Sequence, residues 1–116
     1  MPEVSAFLQG FGLVKGHRYG KYEIISVLAS HNVIKRYKEY EYKIKITLQS
    51  TKGHVSEAEY IKFFHQLMDQ IDGPKTINSA YGNPYKCLID KVEEGHIIDN
   101  DNDQIIVHLI GHSYRV

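Results

Sequence analysis

One stretch of this chain repeats its apolar residues with the period of a helix, and it constrains the fold more than any other feature. Tyr60, Phe64, Leu67 and Ile71 recur at helical spacing, with Ile61, Phe63 and Met68 widening the stripe and Glu57, Lys62, Gln66, Asp69 and Gln70 on the other side. The start is specified three times over. Ser56 can cap the N-terminus, Glu59 three residues later completes a capping box, and Val55 can staple against Tyr60. Asp72-Gly73-Pro74 stops the helix, because Gly tolerates the left-handed residue after a last turn and Pro cannot continue one. A helix is thus predicted from about Ser56 to Ile71.

The rest reads as β-structure. Lys21 to Ala29 and Val33 to Gln49 are rich in β-branched and aromatic residues and hold no Gly or Pro, which predicts two strands joined by a turn at Ser30-His31-Asn32. In the second, Tyr40, Tyr42, Ile44, Ile46 and Leu48 alternate with Glu39, Glu41, Lys43, Lys45 and Thr47, the pattern of a half-buried antiparallel strand. Such a long strand must bend, bulge or project. Tyr85 to Val92 and Gln104 to Val116 supply two more strands, separated by a polar segment. Residues 3–14 and 76–80 stay ambiguous. The expected fold class is α+β: an antiparallel sheet of about four to five strands in ββαββ order, with one amphipathic helix on one face, in a single domain over residues 1–116.

Composition narrows the function classes. The chain has 116 residues, one cysteine, and 14 bases balancing 14 acids. A lone Cys87 excludes an internal disulfide and a multi-cysteine zinc site and points to a reducing compartment, so cytoplasm is expected. No apolar run is long enough to span a bilayer, and residues 1–4 lack the basic-then-apolar order of a signal peptide. Neutral overall charge gives no field for polyanions and favours association. The charges are unevenly spread, however. Residues 1–62 hold ten bases and six acids, whereas residues 63–116 hold four bases and eight acids.

Catalytic and metal motifs fail when weighed against their context. His108 and His112 have a zinc-like spacing, but a strand separates their rings by about 13 Å, too far to share an ion. They instead line one sheet face with Ile110 and Tyr114. Asp99-Asn100-Asp101-Asn102-Asp103 opens like a calcium loop, yet Gln104 stands where Gly is required and Ile110 where the closing acid belongs. A solvated hairpin turn explains it. Gly111 to Arg115 and Gly10 to Gly16 likewise miss the nucleophile elbow and the dinucleotide fingerprint. Cys87 alternates with Tyr85 and Ile89, the setting of a small core residue. No metal and no cofactor is expected, and no motif matches a known family residue by residue.

Three readings remain. The first is a non-catalytic interaction or assembly protein, of the small accessory or viral structural type, that oligomerises through its sheet and a charged hairpin. Glu93, Glu94, Asp99, Asp101 and Asp103 form an acidic stretch opposite in sign to residues 35–45, which suits a head-to-tail contact between copies or with a protein partner. Both faces of the last strand also read as apolar, implying cover on each side. The plain alternative is two solvated surfaces of a monomer. The second reading is single-stranded nucleic-acid binding through Lys35, Tyr37, Lys43 and Lys45, although Glu39 and Glu41 dilute the positive field. The third is a small histidine-dependent enzyme of unassigned substrate. Its basis is the repeat Gly-His-x-Tyr at residues 16–19 and 111–114, which would group His17, Arg18, His112, Tyr114 and Arg115 if paired edge strands met.

Overall fold

Tyr40, Tyr42, Ile44, Ile46, Leu48 and Ser50 share one face of a strand and are all buried, so the alternation read from the sequence defines the wall of the core. In the computed structural model, residues 4–36, 38–79, 81–98 and 103–116 are described, with only the backbone at 96–98. The elements run α1 (Val4–Gly10), β1 (Arg18–Tyr19), β2 (Tyr22–Lys35), β3 (Glu39–Ser50), α2 (Glu57–Ile71), β4 (Lys75–Asn78), β5 (Pro84–Ile98) and β6 (Asp103–Arg115). The six strands form one antiparallel sheet in the order β1-β2-β3-β6-β5-β4, curled into a half-barrel with two helices.

This corrects the expected fold class. The sheet has six strands rather than four or five, and α1, β1 and β4 break the ββαββ order. The missed elements are one that depends on a distant partner, α1, and two strands, β1 and β4, too short to show an alternation. α1 is one short helix ending in glycine, held because Phe7 is buried against Tyr42 at 4.2 Å between ring centroids and tilted on Phe11 at 4.9 Å. β1 exists only as the partner of Tyr22 and Glu23, and β4 only as the partner of residues 84–87.

The turn expected at Ser30-His31-Asn32 is also displaced. Those residues pair with Lys43, Tyr42 and Glu41, so β2 continues to Lys35 and the reversal falls after it. Residue type favoured a turn there, but the ladder to β3 outweighs so weak a preference. Two irregularities of register, between Ile24 and Ser26 and between Val33 and Lys35, absorb the twist of the long hairpin.

The predicted helix is found, and its cap has the expected geometry. Ser56 is extended, and its side chain accepts a hydrogen bond from the Glu59 amide. Phe63, Leu67 and Ile71 are buried, while Ile61 and Met68 are exposed. Tyr19 and Tyr22 pack on Phe63 with ring centroids 5.4 and 5.2 Å away. The two helices fill the concave face, and α2 is tied to the turn after α1 where the Gln70 side-chain amide donates to the Phe11 carbonyl at 2.6 Å.

At the seam between β6 and α1 the chain needs a residue without a side chain. A Cβ on Gly111 would lie 2.7 Å from the Leu88 carbonyl oxygen and 2.7 Å from the Phe7 ring. Beside it the Tyr42 hydroxyl and Ser113 Oγ hydrogen-bond at 3.1 Å inside the core.

Candidate functional site

The convex face of the sheet is where side chains of chemical interest gather, because alternation sends every second residue of β2, β3, β5 and β6 outward. Register places Leu28, Lys45, His108 and Glu93 in one row across four strands, and Ser30, Lys43, Ile110 and Lys91 in the next. Between these rows lies an open depression of about 610 Å³. Its walls mix aliphatic, basic and acidic groups, and it is a surface groove rather than an enclosed cavity.

A second cluster follows along β6. His112 lies opposite Glu41 on β3, and its Nδ1 is 2.6 Å from Asp90 Oδ2. Asp90 reaches it because the β5–β6 register shifts between Ile89 and Lys91 and leaves Asp90 as the extra residue of a bulge. The His112 ring is nearly parallel to Tyr114, with centroids 6.0 Å apart and planes at 19°. An aspartate-held imidazole can orient a proton donor or acceptor, but among the described residues neither a nucleophile nor a closed pocket stands beside it.

The expected site residues separate into distinct places. Lys43, Lys45, His112 and Tyr114 share the convex face. Lys35 is ion-paired to Glu39 at 3.8 Å at the far end of the β2–β3 hairpin, where Arg115 donates to Asn83 Oδ1 at 3.3 Å. Tyr37 lies outside the described residues. His17 and Arg18 sit at the β1 edge, His17 edge-on to Tyr19 and Arg18 3.6 Å from Glu23. The two Gly-His-x-Tyr segments therefore do not meet. Arg18 is joined through Glu23 to the Gln49 end of β3, whereas His112 is opposite Glu41, about 27 Å away along the strand.

The acidic stretch divides as well. Glu93 is hydrogen-bonded to Lys91 at 2.8 Å, which holds the carboxyl below its usual range and raises the ammonium. Glu94 turns to the other face, against the Tyr60 hydroxyl. Asp99 and Asp101 lie outside the described residues. Asp103 is not a surface group: it is 2% exposed, accepts the Val55 amide at 2.9 Å and lies 2.7 Å from His54 Nδ1, so it anchors the approach to α2. Its own amide donates to Ser50 Oγ at 3.1 Å.

Cys87 is fully buried, and burial pushes its thiol up to about 12, the state of an inert core residue. Among the described residues no group of three His, Cys, Asp or Glu gathers in a way that could hold a metal ion. Among them, too, no helix is long and apolar enough to cross a membrane.

Two features of the surface escaped sequence reasoning. The Asp90–His112 contact depends on a bulge, which leaves no mark in residue type. The uncharged run from Ser26 to Ile34 was visible, but reading a turn in its middle concealed that it is one continuous strand. No known protein family matches the chain, and comparison with curated proteins returns no relative, so function rests on the geometry.

Proposed function

We propose that this protein is a non-catalytic assembly subunit that associates with copies of itself through its sheet and its basic hairpin, in the reducing compartment that a lone buried cysteine suits. The observation that carries the reading is the unequal covering of the sheet. Its concave face is closed by α1 and α2, while on the convex side Leu28 stays exposed and Ile106 and Ile110 only half-buried, with no described segment over them. Apolar area of this kind, in a chain without net charge, favours association.

The distribution of charge supports a second copy as the partner. Lys35, Arg36 and Lys38 crowd the β2–β3 reversal, and the Arg115 amide bonded to the Lys38 carbonyl at 2.7 Å adds a fourth base to that end. The β5–β6 hairpin points the opposite way along a molecule 46 Å long, because Asp103 starts β6 beside Ser50 and Arg115 ends it beside Lys38. In the sequence, Asp99 and Asp101 fall between its two strands. Light scattering across a salt series tests the reading: a particle heavier than 13.4 kDa that lightens as salt rises is expected, and a single-chain mass at low salt overturns it.

A second reading has one specific observation behind it. The near-parallel His112 and Tyr114 rings share a face with Lys43 and Lys45, an arrangement on which unpaired bases can stack above phosphate contacts. Glu41 and Asp90 stand beside the stack and weaken its attraction for phosphate. Salt-sensitive binding of a labelled single-stranded oligonucleotide, lost in Lys43→Glu, would favour this reading over assembly.

A further inference from the structure

Two edges of the half-barrel are open among the described residues, and the chain treats them differently. On one side, β1 covers β2 only at Tyr22 and Glu23, with backbone bonds between Ile24 and Gly16 and His17 extending the cover by one residue. No described strand pairs with the outer edge of β2 from there to Lys35. On the other side, β4 covers β5 over residues 84–87 and leaves the edge open from Leu88 onward. Each open edge offers a row of backbone donors and acceptors to any strand of matching length.

The β5 edge is defended. Asp90 bulges from it, and Asp90, Lys91, Glu93 and Glu94 are exposed along it, followed by Gly95. Charges, a bulge and glycine are the devices that keep a strand edge from pairing. The β2 edge keeps its two register shifts at the ends, between Ile24 and Ser26 and between Val33 and Lys35, and has none of these devices between them. From Ser26 to Ile34 it contains no Asp, Glu, Lys, Arg, Pro or Gly, and it presents Leu28, Val33 and Ile34 at 61%, 57% and 56% exposure. An undefended edge of this length is kept soluble by being occupied.

We infer that β2 pairs antiparallel with β2 of a second copy, across a two-fold axis near Ala29, joining two half-barrels into one continuous twelve-stranded sheet. This rests on the assembly reading only in that a second copy is the partner; the contact it adds is the open β2 edge, beside the convex face and the charged ends rather than through them. A two-fold perpendicular to the sheet keeps each residue on its own face, so Leu28 meets Ser30 of the other copy on the convex side and Ala29 meets itself on the concave side. In this register residues 25–33 of the two copies pair, the uncharged part of the edge that β1 leaves open. Pairing of β2 with the β5 edge of another copy would instead set neutral aliphatic residues against the Asp90 bulge and leave a growing chain.

Sedimentation of the full-length chain, with single substitutions at exposed positions, tests the inference. In salt high enough to screen the charged ends, the parent is expected at twice 13.4 kDa, and Leu28→Lys and Val33→Lys, each checked for an unchanged circular dichroism spectrum, at one chain mass. Ala29→Cys should form a covalent dimer on mild oxidation, since the only native thiol is buried. If the lysine variants keep the parent's mass, the contact lies elsewhere, and the inference falls while assembly stands. If the parent has one chain mass in that salt but a larger one at low salt, the inference falls alone, and at one chain mass throughout both fall. A mass that grows past two chains with concentration, or an Ala29→Cys chain that does not cross-link, also overturns the two-fold pairing.

Discussion

The Phe7 ring lies over that of Tyr42, with centroids 4.2 Å apart and planes 20° from parallel, and this contact fastens α1 to the middle of the sheet. Tyr42 is held in turn by Ser113 through its hydroxyl, so the stack links α1, β3 and β6 in one buried unit. Without it α1 has little reason to be a helix, since so short a segment is unstable alone.

Phe7→Ala should therefore cost about 3–5 kcal/mol, the range for emptying a buried aromatic site. Urea denaturation followed by circular dichroism measures it, and Phe7→Leu should cost distinctly less.

Gly111→Ala places a methyl group against the Leu88 carbonyl and the Phe7 ring, and backbone on the β5 side cannot yield cheaply. A loss of about 1–3 kcal/mol is expected from overpacking. Phe7→Ala should partly relieve it in the double variant, because one of the two obstructing groups is then gone; a double-mutant cycle in urea reads the coupling.

Tyr22 is 1% exposed, and its hydroxyl has no hydrogen-bond partner among the described residues. Removing a buried hydroxyl without a partner among the described residues should stabilise the fold. Tyr22→Phe is expected to gain about 1 kcal/mol in thermal or chemical denaturation, the reverse of the usual effect of losing a polar group.

Asp103 gives the opposite case. Asp103→Ala leaves the Val55 amide and the His54 ring without their acceptor, at a cost of about 2–3 kcal/mol. Hydrogen exchange should quicken in the first turn of α2 before it does in β3, which distinguishes a loosened helix approach from a general loss of stability.

Alkali should unfold the protein through its buried tyrosines and cysteine. Burial pushes Tyr19 and Tyr42 from 10.0 up to about 12, and Cys87 from 9.0 up to about 12. In this window the folded chain holds protons that the unfolded chain has released. Stability is then full below pH 9, starts to fall as the unfolded thiol ionises, and falls more steeply from pH 10 to about 12. Tyrosinate absorbance at these residues should appear together with unfolding rather than before it, and Cys87 should resist thiol reagents at pH 8 until denaturant is added.

Local chemistry carried part of this fold. Ser56, Glu59 and the stripe ending at Leu67 and Ile71 specify α2, and the alternation from Tyr40 to Leu48 specifies the core face of β3, because caps and periodicity act between near neighbours. For β6 only the grouping was legible: both faces read as apolar, and packing decided that Ile105, Val107 and Leu109 are buried while Ile106, His108 and Ile110 point outward. The grouping of Lys43 and Lys45 with His112 and Tyr114 was only half legible, since alternation states which side a residue takes and not which strand lies next to it.

Everything that depended on partners distant in the chain was decided by the tertiary structure. α1 needs Tyr42, and the course of β2 through Ser30, His31 and Asn32 needs β3 alongside it; β1 and β4 pair with near neighbours but are too short to show an alternation. Asp103 reads as surface acid and becomes a buried anchor because Val55 and His54 reach it across 48 and 49 residues of sequence. Short-range preferences are worth a few tenths of a kcal/mol to about 1 kcal/mol per residue, and burial of an aromatic or a satisfied carboxylate outweighs them. The sequence by itself determined one helix and the inward face of the central strands; the closure of the half-barrel, and the edge it leaves open, came only from packing.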